Sequence, residues 1–220
     1  MKKVLLLALT LALVLSCASF IACGGGEEGG TTPPPSGGDE TLEEIIARAA
    51  ALPSVKFDQV FTSTVNPTMT WKVWVEGKKA RIEMSVEGQD MVMLIDSETE
   101  TSYMYIPAEN MAMKMDMSGF EGIATEAVND IMDYNPTVIG TETWDGKVCM
   151  VIEYTIVVEG VESKTKQWIW KKHGFPIRME MIVGDIPAGM ECRNFEFGDI
   201  PDSMFELPPG VEIISGLGGL

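Results

Sequence analysis

The chain has 220 residues and carries 33 acidic against 16 basic side chains, which gives a formal charge of −17 at pH 7. A surface this acidic repels the phosphate backbone of nucleic acids, so the sequence argues against a nucleic-acid-binding protein. Hydrophobic residues make up 45% of the chain, enough for a single domain with a buried core.

The N-terminal segment indicates an exported protein. Two lysines precede an apolar run over residues 4–22, which is the pattern of a signal peptide rather than of a folded element. Cys23 directly follows the small residue Ala22, as in the lipobox at which bacterial lipoproteins are acylated. We therefore predict a signal peptide at residues 1–22 and a lipid on Cys23 that anchors the mature protein to a membrane of the cell envelope.

Two alternatives stay open for this segment. Cys17 lies in a similar context, but cleavage before it would leave residues 18–22 as an apolar stub. The apolar run could also persist as an uncleaved helix, because about 20 apolar residues span a bilayer. The glycines directly after Cys23 favour lipidation at that cysteine. In each case the folded domain is expected outside the cytoplasm.

Residues 23–40 have the composition of a tether, and a predicted helix follows them. Glycines make the tether flexible, and three consecutive prolines stiffen its middle. Thr41 and Glu44 have the spacing of a helix capping box, an apolar stripe at helical spacing comes next, and Pro53 ends the helix. The domain is therefore predicted to cover residues 41–214 and to begin with an amphipathic helix.

Beyond Val55 the sequence predicts strands. Short turns such as Asp145-Gly146 separate many alternating segments, and such connections place consecutive strands antiparallel. The predicted strands are 56–64, 69–76, 79–86, 90–96, 101–106, 110–117, 137–143, 147–158, 163–172, 176–183 and 190–197. Residues 119–133 interrupt them with helical spacing. The predicted fold class is mainly β with α: an antiparallel sheet of about eleven strands, an N-terminal helix and a helix inserted in mid-sheet.

Methionine is unusually frequent, with 16 in the chain. Four of them alternate along one predicted strand and therefore share one face. Methionine fills irregular core gaps, so ordinary packing is one explanation; the same adaptability suits a cavity for apolar chains. Cu(I) binding is disfavoured, because the four residues spread over about 20 Å and cannot share one ion. The predicted ligand-binding residues are Met111, Met113, Met115, Met117, Tyr103, Tyr105, Trp168 and Trp170.

The remaining chemically reactive residues give no catalytic pattern. Cys149 and Cys192 lie in predicted strands, where they could form a disulfide or stay as two unpaired, buried thiols. The sequence has no GxSxG, no HExxH and no phosphate-binding glycine loop. Its single histidine, His173, cannot form a multi-histidine metal site. We therefore expect neither an enzyme nor a bound metal or cofactor.

Several segments are similar to a known family. Residues 74–83 (WVEGKKARIE), 168–178 (WIWKKHGFPIR) and 205–208 (FELP) resemble segments of the lipoprotein-sorting (LolA/LolB-like) superfamily, which includes lipid-carrying envelope lipoproteins. The resemblance extends over residues 40–213. It implies an unclosed β-barrel whose concave face, covered by the two helices, holds acyl chains. The chain departs from the soluble carrier of that family by its predicted anchor, and from the receptor by lacking a protruding apolar loop.

Three hypotheses for the function follow. The first is an anchored lipoprotein that binds acyl chains of lipids or lipoproteins in a methionine- and aromatic-lined cavity, with a role in lipid or lipoprotein transport. The second is a sensor or interaction protein of the same fold that transports nothing. The third is a Cu(I)-binding envelope protein. Apolar rows on both faces of the strands, together with the second predicted helix, favour the first hypothesis.

Overall fold

The computed structural model describes residues 40–65, 67–86, 88–115, 131–158 and 161–215. The predicted signal peptide, Cys23, most of the tether, Met117 and most of the predicted 119–133 helix lie outside these residues, so they stay predictions.

Within the described residues the protein is mostly β, with twelve strands in one sheet. The strands are β1 (Val55–Ser63), β2 (Met69–Glu76), β3 (Lys79–Val86), β4 (Gln89–Asp96), β5 (Thr101–Ile106), β6 (Met111–Met115), β7 (Thr137–Trp144), β8 (Lys147–Val158), β9 (Val161–Trp170), β10 (Phe175–Val183), β11 (Ile186–Phe197) and β12 (Glu212–Ser215). The eleven predicted strands are all present. The twelfth, β12, was not predicted.

The strand order is β12-β6-β5-β4-β3-β2-β1-β11-β10-β9-β8-β7. Two antiparallel meanders, β1–β6 and β7–β11, are therefore joined where the first strand pairs with the eleventh. The last strand, β12, adds in parallel to β6. In the described part of the chain β7 and β12 form the two sheet edges and do not pair with each other, so the predicted open sheet is confirmed.

The predicted N-terminal helix is present but is shorter than expected. It consists of α1 (Leu42–Ile46) and continues as a 3₁₀ helix over Ala47–Ala51. The capping box is formed: the backbone N–H of Glu44 donates to Thr41 Oγ1, and the Thr41 N–H donates to Glu44 Oε2 at 2.9 Å. Two other 3₁₀ helices lie at Pro107–Glu109 and Asp202–Phe205.

One face of the sheet, which we call the inner face, carries α1. Leu42 and Ile45 of the helix pack with Met150, Ile152 and Ile169 of β8 and β9. The cross-strand register continues this face into the first meander through the row Ile152, Gln167, Met179, Met190, Phe61 and Met69. The largest buried cluster lies mainly along this face, so it forms the principal core.

The opposite, outer face is covered in part by the C-terminal segment. Val92, Leu94, Tyr105 and Ala112 form a second buried cluster there, and Leu207 packs on it before the chain reaches β12. No helix in the described ranges is both long enough and apolar enough to cross a membrane.

Candidate functional site

Six methionines of three adjacent strands share the inner face, and we call them the methionine face. They are Met91, Met93, Met104, Met111, Met113 and Met115. One cross-strand row runs from Met93 through Met104 to Met113. The turn between β5 and β6 sets this register: it is a 3₁₀ helix closed by Asn110, whose φ of 50° lies in the left-handed region that asparagine tolerates.

Burial falls along this row from the core toward the sheet edge. The side chain of Met93 is only 2% exposed and belongs to the principal core. Met104 is partly buried and packs against that core, and Met113 is partly buried next to β12. The methionine face is thus a continuation of the core that stays partly open to solvent.

The structure does not bring the predicted tyrosines to the methionine face. Tyr103 pairs with Lys114 and Tyr105 pairs with Ala112, so both side chains lie on the outer face. Tyr105 is buried there in the second cluster, and Tyr103 packs at its margin. The inner-face residue of β5 between them is Met104, which is not among the ligand-binding residues predicted from the sequence.

The two predicted tryptophans also lie elsewhere. Trp168 is on the outer face of β9, where its Nε1–H donates to Glu142 Oε2 at 2.8 Å and the Arg178 guanidinium lies 4.5 Å from its ring centre. The ring of Trp170 meets His173 at 4.5 Å and Phe195 at 5.6 Å between centroids. Both tryptophans therefore have well-packed aromatic or cationic neighbours away from the methionines.

The side chains of Cys149 and Cys192 are both buried. Cys149 lies on β8 and Cys192 on β11, with β9 and β10 between them. Three strand spacings amount to about 14 Å. A disulfide requires Cα atoms within about 7 Å, so the strand order disfavours a bond between these two cysteines.

A cavity of about 1070 Å³ lies in the second half of the sheet, next to β1 and β8–β11. One complete inner-face row lines it, and this row consists of Tyr154, Thr165, Met181, Ala188 and Ser63 in adjacent strands. We call it the cavity row. The volume is slightly above the range of about 300–1,000 Å³ that is common for small-molecule sites.

Many of the residues that line this cavity have polar side chains. Eight of its 18 described lining residues carry a hydroxyl group, and four are charged. The charged residues are Glu153, Glu180, Lys164 and Lys166, which contribute two negative and two positive charges. These four residues alternate with inner-face residues along their strands, so their side chains lie on the outer face of the sheet.

Two buried hydroxyl groups near the cavity lack a hydrogen bond. Thr165 is 2% exposed and Ser163 is fully buried, and neither Thr165 Oγ1 nor Ser163 Oγ has a partner in the described residues. Next to them, Tyr154 O–H donates to Gln167 Oε1 at 3.1 Å, and burial raises the pKa of the Tyr154 phenol. Unpartnered buried hydroxyls are rare in native proteins, because each loses its hydration without compensation.

The sequence carries a signal for this cavity on β9. Ser163, Thr165 and Gln167 alternate along β9 on the inner face, where a strand that only packs against the core carries apolar residues.

In the described part of the chain no group of three or more His, Cys, Asp or Glu side chains is arranged to hold a metal ion.

No protein-family model matches the chain. A sequence relative is the uncharacterized protein MJ0687 of Methanocaldococcus jannaschii, which is 26% identical over 188 residues. The match covers 80% of this chain and 53% of that protein, so the chain spans about half the length of this relative.

Solved structures define the class of fold. An uncharacterized conserved protein from Thermus thermophilus is similar with a TM-score of 0.58 and 11% identity, over 80% of this chain and 99% of that one. The lipoprotein LppX of Mycobacterium tuberculosis gives a TM-score of 0.50 and 14% identity, over 73% and 96%. A LolA superfamily protein from Nitrosomonas europaea gives 0.40 and 13%, over 76% and 98%. The chain has the fold of LppX, and the resemblance predicted from the sequence is confirmed as a likeness of fold.

Proposed function

We propose that this chain is an extracytoplasmic lipoprotein, anchored through Cys23, whose domain binds acyl chains of lipids or lipoproteins on the methionine face. The observation that carries the proposal is the partly open row from Met93 through Met104 to Met113, which extends the core toward the sheet edge. A methionine side chain gains about 1.5–3 kcal/mol on full burial, so covering this face with an acyl chain is favourable.

The chemistry of methionine fits such a ligand. Its unbranched thioether changes rotamer easily, so several methionines in contact can repack around chains of different length or branching. The row also offers no charge that would select a polar ligand. The residues that continue it on either side, Ile82 on β3 and Ile214 on β12, are aliphatic. The likeness of fold to the lipoprotein LppX supports the same proposal.

The N-terminal sequence supports the anchor. A charged start, an apolar run and a small residue before Cys23 are the features of a lipoprotein signal, and the glycine- and proline-rich residues after it provide a tether. Such a tether lets the domain reach apolar chains at the membrane surface while it stays attached.

Binding of a fluorescent long-chain fatty acid tests the proposal. Met113→Gln in the full-length chain is expected to weaken binding, because it places an amide in the middle of the row. Met132→Gln is the matched control, since Met132 is 37% exposed and lies in a turn away from the face. Equal affinity of the two variants contradicts the proposal.

Transfer of the bound fatty acid to acceptor vesicles separates transport from sensing. Release to vesicles supports a role in lipid transport. Tight retention, with Met113→Gln still impaired, supports a sensor of the same fold. Absence of any acyl-chain binding favours the interaction protein that was considered from the sequence.

A further inference from the structure

We propose that one end of the sheet docks on the surface of a bilayer whose lipids carry no net charge. At this end β1 stops, and the turns from β8 to β9 and from β10 to β11 lie beside it. Docking rests on the proposed anchor at Cys23, but it uses no residue of the methionine face.

Exposed aliphatic side chains gather at this end. Four of the ten large hydrophobic side chains that are exposed in the described ranges belong to it, and we call them the apolar rim. They are Val65 (52% exposed), Val157 (65%), Val161 (38%) and Ile182 (52%). Single exposed aliphatic residues are ordinary on a protein surface, whereas a group of them marks a contact with another apolar surface.

The cross-strand register brings the members of the rim together. Ser63 at the end of β1 pairs with Ala188 of β11. Val183 of β10, which is partly buried, pairs with Ile186 of β11 and with Ser163 of β9. Because β1, β11, β10, β9 and β8 are adjacent in this order, the rim extends over four strand spacings, about 19 Å.

Packing within the described part of the domain does not explain the rim. Val157 lies on the outer face of β8 and Val161 on the inner face of β9, yet both side chains are exposed. The end of this hairpin is therefore apolar on both faces, and the described residues cover neither face. Both residues would lose contact with water if the end of the hairpin entered an apolar layer.

The predicted tether is long enough to bring the rim to the membrane. Glu40 lies at the opposite end of the sheet, where its carboxylate contacts Lys171 Nζ at 2.9 Å in the turn between β9 and β10. The nine residue steps along β9 from Trp170 to Val161 amount to about 30 Å. The 17 residue steps from Cys23 to Glu40 can extend over about 56–61 Å. The far end of the domain can thus turn toward the membrane that holds the anchor.

A lipid surface suits the rim better than a protein partner does. Four partly exposed aliphatic side chains on separate strand ends offer much less area than the ~800 Å² that each partner of a stable protein interface buries. An anchored domain needs less contact, because its tether holds it at a high effective concentration beside the bilayer. The formal charge of −17 repels anionic headgroups and a second copy alike, so lipids without net charge are favoured.

The test uses the full-length, lipidated protein in phosphatidylcholine vesicles. Val157→Cys receives an environment-sensitive fluorophore, while Cys149 and Cys192 are buried and are expected to stay unlabelled. Val148→Cys is the matched control, because Val148 is 50% exposed and lies at the other end of β8. Brominated lipid is expected to quench the label at position 157 at least about twofold, since interfacial residues enter the boundary between headgroups and acyl chains. The label at position 148 is expected to stay unquenched.

Two further changes are made in the labelled Val157→Cys protein. Ile182→Asp is expected to reduce the quenching, because it places a charge in the rim. Ile213→Asp is its control, since Ile213 is 54% exposed but lies on β12. Deletion of residues 26–35 shortens the tether to seven residue steps, about 25 Å, and is expected to abolish the quenching while the protein stays on the vesicles.

Several results overturn the proposal. Vesicle-bound protein whose label at position 157 stays unquenched does so, as does equal quenching at positions 157 and 148. Self-quenching that rises with protein density, without quenching by lipid, assigns the rim to a second copy instead. Stronger quenching in vesicles that contain anionic phosphatidylglycerol overturns the choice of uncharged lipid.

Failure of the anchor gives a different result. Protein that is not acylated at Cys23 does not sediment with the vesicles, and this outcome removes the basis of docking as well. Fatty-acid binding at Met113 is measured separately and depends on neither result. Loss of docking, loss of the anchor and loss of acyl-chain binding are therefore distinguishable.

Discussion

Gly174 and Ile45 are in such close contact that a Cβ atom at position 174 would lie 2.1 Å from the backbone oxygen of Ile45. The contact joins the turn between β9 and β10 to α1. Gly174 also has a φ of +66°, which side-chain-bearing residues rarely adopt. Attachment of the helix to the inner face therefore depends on the absence of a side chain at one position.

Gly174→Ala is expected to destabilise the domain by about 2–4 kcal/mol, because it adds a steric clash to the cost of the left-handed backbone. Gly184→Ala is the control: its φ is +61°, but an added Cβ would meet no atom within 4 Å. That variant is expected to lose only about 1 kcal/mol. Urea denaturation monitored by tryptophan fluorescence measures both. Equal losses would show that the close contact with Ile45 is unimportant.

Met104 and Tyr103 are sequence neighbours on opposite faces of β5, which gives a sharp test of where apolar chains bind. Met104→Gln is expected to weaken fatty-acid binding by about tenfold, equivalent to about 1.4 kcal/mol, because it desolvates an amide on the methionine face. Tyr103→Gln is expected to leave the affinity unchanged. Fluorescence titration compares them, and the reverse order would place the site on the outer face.

Cys149 and Cys192 are expected to resist alkylation in the native protein at pH 8. Burial raises the pKa of the Cys149 thiol to about 11, so at pH 8 it is protonated as well as inaccessible. Iodoacetamide treatment followed by peptide mass spectrometry is expected to show modification only after denaturation. Rapid native labelling of either cysteine would contradict this prediction.

Cys23→Ser is expected to abolish membrane attachment of the expressed protein. The serine hydroxyl does not replace the thiol that receives the lipid, so the variant is expected in the soluble fraction or as an unprocessed precursor. Membrane fractionation and intact-mass analysis provide the measurement, with Cys17→Ser as the matched control that keeps the anchor. Acylation found on Cys17 instead would assign the anchor to the alternative cysteine.

Local patterns were sufficient to predict most of the strands. Turns such as Asp145-Gly146 and the alternation of apolar residues mark where strands begin and end, and the Thr41–Glu44 capping box marks the start of α1. β12 was not predicted because it has only four residues and pairs in parallel with β6. A parallel pair is not joined by a short turn, so the sequence next to β12 gives no sign of its partner.

Which residues of different strands share a face was harder to predict. The sequence places Met111, Met113 and Met115 on one face of their own strand, but it does not say which face of β5 continues that surface. A one-residue difference in register exchanges Met104 for Tyr103, and the turn at Asn110 decides between them. For a related reason the sequence left open whether Cys149 and Cys192 lie close together, since strand order across β8–β11 is a property of the whole sheet.

The pairing of β1 with β11 has a consequence for how the domain is made. Val55 of β1 pairs with Phe197 of β11. The backbone hydrogen bonds on this side of β1 therefore form only after β11 has been synthesised. The hairpins of β1–β6 need only local contacts and can form early, whereas the join between the meanders is slow because its contacts are distant in sequence. Until β11 pairs with it, β1 has unpaired backbone N–H and C=O groups that can bind a strand of another chain. Misassembly of the nascent chain is therefore expected to begin at β1.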